Sequence, residues 1–239
     1  MTETSTATAA PETPQPGIFA RAFGVIFSPR ETYALVASHP RAIGMLALIT
    51  IVMAVSQFAF LSTELGQDIA FEQQVRGMEA FGMTVTDEMT AQIEQQMAVA
   101  RYVNPISLVL FVPLLNAIVA GLLMVVFTML LGGSATFKHV NAVTAHAGVI
   151  PVLQQLFALP LTYASGELSG ANLGVFVPML EEDSLAVLFL GSIDFFYLWW
   201  CISLAIGLGV LYRRRTGPIA TGLILVYVVI AFLIALIRS

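Results

Sequence analysis

Five stretches of about twenty or more residues between Ala42 and Leu236 carry at most one charged side chain each. A hydrocarbon core about 30 Å thick is crossed by roughly 20 apolar residues of helix. One such run can be the buried helix of a soluble globule, but five in 239 residues cannot all be. Composition agrees: 58% of residues are hydrophobic and 10% charged, with mean hydropathy +0.87. A soluble domain carries about 25% charged residues to face water. The solvent this chain lacks charge to meet is lipid.

The expected spans are 42–62, 105–131, 140–163, 185–212 and 217–236. Unbroken apolar runs of this length are helix signals, because barrel strands alternate. The predicted fold is therefore all-α, a polytopic bundle of five transmembrane helices. Residues 1–17, rich in Thr, Pro, Glu and Ala, read as a disordered cytoplasmic tail, and 18–239 as the membrane domain.

Lys and Arg flanking the spans set direction. Arg21, Arg30 and Arg41 precede the first span, Lys138 lies between the second and third, and Arg213, Arg214 and Arg215 between the fourth and fifth. The N-terminus is expected in the cytoplasm and the C-terminus outside: the outer stretch between the first and second spans holds only Arg76 and Arg101 among seven acids, and Arg238 is a single charge on the wrong side.

Before the first span, Phe19, Phe23 and Phe27 recur at helical spacing with Ile26. Ser28, Pro29 and Glu31 then read as a capped helix start. Two short cytoplasmic helices at the membrane interface would bury the phenylalanines and set Arg21 and Arg30 against lipid phosphates. Packing on the bundle is the equal alternative. Residues 63–104 read as an outer helical hairpin turning at 82–86, with Thr86 as a cap and Met89, Ile93 and Met97 as its apolar stripe. That stripe suits a self-packed cap, or a docking face. Glu181, Glu182 and Asp183 before the fourth span suit a helix N-terminus better than a cation, with Asp183 or Ser184 as the cap.

Catalytic and cofactor motifs are absent: no HExxH, Walker loop or G-x-S-x-G elbow occurs. His139 and His146 are too loosely spaced for a metal pair. Cys201 is alone, and a net charge of −5 without a broad basic patch gives no footing for nucleic acid. No cofactor or metal is expected, and the chain reads as non-enzymatic.

The residue that asks most of this arrangement is Asp194, inside "GSIDFFYLWW". On an unbroken helix from Leu185 it sits about 14 Å deep. An ionised carboxylate there costs at least about 2.5 kcal/mol, so it must be paired, hydrated or protonated. By the same arithmetic Asn116 lies at about 17 Å from the same side, and His146 about 7 Å below Asp194. Gln154 and Gln155 lie nearer the outer face, and Tyr197 follows at i+3. Three roles stay open for this intramembrane polar cluster of Asp194, His146, Asn116, Gln154 and Gln155. It can be interhelical glue, a proton, cation or small-solute path centred on Asp194 and His146, or a contact with a membrane partner or second copy. Trp199, Trp200 and Cys201 are expected to pack between helices, and His39 to end a helix.

"FSPRETYALVASHP", "LGGSATFKHVNAVTAHAGVIPVL" and "GSIDFFYLWWCISLAIGLGVLY" together resemble bacterial members of the Yip (Ypt-interacting protein) domain family. The I-D-x-F-x-x-W pattern, carried by Ile193, Asp194, Phe196 and Trp199, is the most distinctive element. The resemblance covers roughly residues 20–237 and implies five spans with a cytoplasmic N-terminus. In eukaryotic relatives it implies binding of Rab-type GTPases in membrane trafficking. The alanine-rich, lysine-poor composition resembles bacterial proteins, so the Rab role is not carried over. The expected partners are the lipid bilayer and a membrane protein or second copy, in a bacterial inner membrane.

Overall fold

A computed structural model describes residues 15–80, 82–166, 170–181 and 184–239. Most of the predicted N-terminal tail, together with Glu182 and Asp183, lies outside them. The described residues form ten α-helices: α1 (Ile18–Phe27), α2 (Pro29–Ser38), α3 (Ile43–Leu61), α4 (Glu64–Ala80), α5 (Asp87–Met124), α6 (Phe137–Ala147), α7 (Val149–Ser165), α8 (Leu185–Gly191), α9 (Phe195–Leu211) and α10 (Thr216–Arg238). A π-helical turn, Val125–Leu130, prolongs α5, and a 3-10 turn covers Leu173–Phe176.

Four segments are long and apolar enough to cross a membrane: Ile43–Leu61, Asp87–Leu130, Phe137–Ser165 and Thr216–Arg238. They answer to the first, second, third and fifth predicted spans. The third bends at Gly148, which separates α6 from α7. The fourth is not one helix. The expected run 185–212 divides into the short α8 and the 17-residue α9 at Ser192, Ile193 and Asp194. Hydropathy sums over a window and is blind to a backbone break inside it. Asp194 therefore lies at the start of α9 and not in the middle of an unbroken helix.

The expected helical hairpin is present, formed by α4 and the start of α5. Thr86 caps α5 by accepting from Met89 N–H at 3.3 Å; Ile93 is buried, and Met97 packs against the buried cluster of Phe60, Leu61, Ile69 and Ala100. The cap thus packs on itself and on the end of α3. Helix α5 then continues without interruption into its membrane segment, carrying Pro105 and Pro113 inside it.

The core sits where α2, α6 and α9 meet. Tyr33 has no exposed surface and its hydroxyl lies 2.8 Å from Ser203 Oγ on α9. Burial pushes the Tyr33 phenol well above its ordinary pKa, with the Ser203 contact opposing. A Cβ at Gly207 would come within 2.5 Å of Val143 and 2.9 Å of the Tyr33 ring, so only glycine lets the three helices approach this closely. Of the two readings of the N-terminal helices, packing on the bundle describes α2, through Thr32, Tyr33 and Val36. Ser28 precedes α2 without a side-chain cap hydrogen bond, so the expected capping box is not formed. Helix α1 turns Val25 and Ile26 inward and leaves Phe19, Phe23 and Phe27 exposed by 64%, 61% and 78%. Arg30 is exposed, and Arg21 donates to the Pro16 carbonyl. Ile26 therefore does not share the phenylalanine face.

Tyr33→Phe strands the buried Ser203 hydroxyl and should cost about 1–3 kcal/mol. Adding Ser203→Ala should recover part of that loss. Thermal unfolding of the four proteins in one detergent reads this cycle, and additive losses would refute the pairing.

Candidate functional site

The break in the fourth apolar run is where most polar chemistry in the bundle converges. Ending α8 at Gly191 and starting α9 at Phe195 frees backbone groups that lipid cannot satisfy, each costing several kcal/mol if left unpaired. Ser192 closes α8 with its hydroxyl on the Leu188 carbonyl at 2.8 Å. Asp194 then takes the N-cap position of α9, with φ −100° and ψ 137°. Its Oδ1 accepts from Phe196 N–H at 2.7 Å and Tyr197 N–H at 3.4 Å.

The remaining groups are met from three directions. Gln154 of α7 donates its side-chain amide to Asp194 Oδ2 at 3.0 Å. The Asp194 N–H donates to the Tyr227 hydroxyl of α10 at 2.9 Å, and that hydroxyl donates on to the Ser192 carbonyl at 3.1 Å. Residues 171–173 lie alongside as an isolated antiparallel bridge. Leu173 N–H donates to the Ile193 carbonyl and Phe195 N–H to the Ala171 carbonyl, both at 2.9 Å. Asn172 caps the 3-10 turn by accepting from Gly174 N–H. Asp194 is left 8% exposed.

Depth changes with this geometry. Counted from the end of α9 near Arg213–Arg215, Asp194 lies about 25 Å along, five-sixths of a roughly 30 Å core. The carboxyl group sits at a helix N-terminus, whose dipole favours negative charge. That is the physical answer to its presence in an apolar run.

Asn116 does not reach Asp194. It bridges α5 to α6, donating to Asn141 Oδ1 at 2.7 Å. His146 is buried on α6 with Nδ1 2.7 Å from the Ala142 carbonyl. A carbonyl only accepts, so Nδ1 carries the proton. No hydrogen bond joins His146 to Asp194 among the described residues. Gln155 lines a cavity of about 390 Å³ with Gln57 and Gln154. A neighbouring cavity of about 380 Å³ reaches Asp194 itself and is lined by Gln154, Asn172, Ser192, Tyr197 and Tyr227. Among the described residues, no three of His, Cys, Asp and Glu gather where they could hold a metal ion.

Sequence reasoning missed Tyr227, Ser192 and Asn172. Tyr227 lies midway along the otherwise strongly apolar run 217–236, where its hydroxyl meets Asp194 N–H and the Ser192 carbonyl. "GSID" held the other signal. A glycine stop followed by an aspartate before a new apolar run is the grammar of a helix end and an N-cap.

A family model, the Yip1 domain, matches residues 23–238. The chain belongs to the Yip1 domain family. No curated protein and no solved structure matches it. The match spans α2 to α10 and includes the Asp194 break of this Yip1-family membrane protein, along with the part of α1 that bears Phe23 and Phe27.

Asp194→Ala removes a cap and strands the Gln154 amide, which should cost about 2–4 kcal/mol. Asp194→Asn keeps an acceptor at the cap and should cost under about 1 kcal/mol. Thermal midpoints in a common detergent measure both, and equal losses would contradict the capping role.

Proposed function

We propose that this protein is a non-enzymatic, five-span component of a bacterial inner membrane that organises lipid and membrane partners, with its N-terminus cytoplasmic and C-terminus outside. The observation that carries the reading is the division of labour on α1. One face is locked into the bundle by Val25, and the other presents three phenylalanines that nothing among the described residues covers. Surface aromatics in such a row mark contact with lipid or another protein. The fifth crossing rests on α8 and α9 taken together, about 10 Å and 25 Å of helix. The Arg213–Arg215 triplet and the Arg21, Arg30 and Arg41 flank support the orientation.

The cavity at Asp194 favours a second reading, a small channel or transporter. Against it, His146 lies elsewhere, and the donors around the carboxyl group belong to its own helix end and Gln154.

With Phe19, Phe23 and Phe27 changed to Ser, the thermal midpoint should move little, since exposed substitutions stay within about 0.5 kcal/mol. A fluorophore at position 23 should be quenched by brominated lipids, and the serine changes at 19 and 27 should abolish that quenching. In proteoliposomes the wild type should pass neither protons nor common cations. Flux that Asp194→Asn eliminates at matched folded protein would replace this reading with the second.

A further inference from the structure

At the arginine end of the bundle, α5 and α10 diverge and leave an apolar groove of about 660 Å³. Leu122 and Val126 form one wall, Leu223 and Val226 the other. Leu122 is 64% exposed and Val226 58%, so the chain itself does not fill it. Its mouth is set by Arg214 and Arg215, and among the described residues no acidic side chain lines it.

The two arginines are placed differently. Arg214 donates through Nη2 to the Leu131 carbonyl at 2.6 Å, which holds its guanidinium at the rim while other N–H donors stay available. Arg215 is exposed and makes no hydrogen bond or ion pair among the described residues. Across the Arg214–Leu131 contact opens a second cleft of about 760 Å³. It is bordered by residues 132–135, His139 and Arg213, with Arg214 shared between the two. An apolar slot thus runs into a cationic rim and then into a polar cleft.

A molecule filling all three parts has a hydrocarbon chain, an anionic group and a polar head. From Arg215 to Val226 the groove follows about 17 Å of α10, half of a roughly 30 Å core and so the depth of one leaflet. Guanidinium forks match phosphate oxygens in pairs. We propose that the groove holds one acidic phospholipid, its acyl chain between α5 and α10 and its phosphate on Arg214 and Arg215. The inference rests on the chain being a membrane protein and is independent of the α1 face, which has its own quenching test.

Native mass spectrometry of the detergent-purified full chain, titrated with phosphatidylglycerol or with phosphatidylcholine of the same acyl chains, decides it. The expected result is one phosphatidylglycerol retained under activation that strips phosphatidylcholine. Arg215→Gln should weaken retention about fivefold, and Arg214→Gln with Arg215→Gln about thirtyfold. A Cβ at Gly222 meets nothing within 4 Å. Gly222 lines the groove with room for a Cβ, so Gly222→Phe should project its ring into the groove and abolish retention at an unchanged thermal midpoint. Arg238→Gln, at the other end of α10, should change nothing. Equal retention of the two lipids, full retention in Gly222→Phe, or a loss in Arg238→Gln matching that in Arg215→Gln would each overturn the proposal.

Discussion

A backbone that stops being helical inside lipid must find a partner for every N–H and C=O it releases. The break between α8 and α9 meets that demand with Asp194, Ser192, Gln154 and Tyr227, drawn from α7, α10 and the break itself. The remaining bundle is arranged to permit it. Helix α10 packs along α9 at a register that brings Tyr227 to the Asp194 N–H, and α7 faces its Gln154 to the carboxyl group. The break in turn frees α9 from continuing in line with α8, so that Gly207 and Ser203 can meet α2 and α6.

Four apolar crossings were legible because length and hydropathy alone specify them; no pairing between helices is needed to recognise a run such as Ile43–Leu61. The fourth run was not, since its 28 residues exceed the length a core requires and nothing in an average shows where the excess is placed. Depth arithmetic from Leu185 then put Asp194 beside Asn116, whereas counting from the arginine end puts it beside Gln154. Asn116 answers instead to Asn141, a residue whose own helix begins only at Phe137. The polar residue types were visible in the sequence. Their pairing depended on a bend that residue types alone express weakly.

The amphipathic reading of the N-terminus shows a similar limit. Periodicity identified the phenylalanine row on α1, and the structure leaves that row outward. It did not identify Tyr33, because one tyrosine among Thr, Ala and Val on α2 has no periodic signature. Its burial comes from α6 and α9, two helices that lie far along the chain.

That separation has a consequence for biogenesis. Tyr33 leaves the ribosome 170 residues before the serine it pairs with. At translation speeds of about 5–20 residues per second, roughly 10–30 s pass before α9 exists to receive it. Through that interval Val25, Tyr33 and Val36 form an apolar surface without a counterpart, beside a membrane already threaded by α3. The N-terminal helices are made first, and the packing of α2 is completed only when α9 is made.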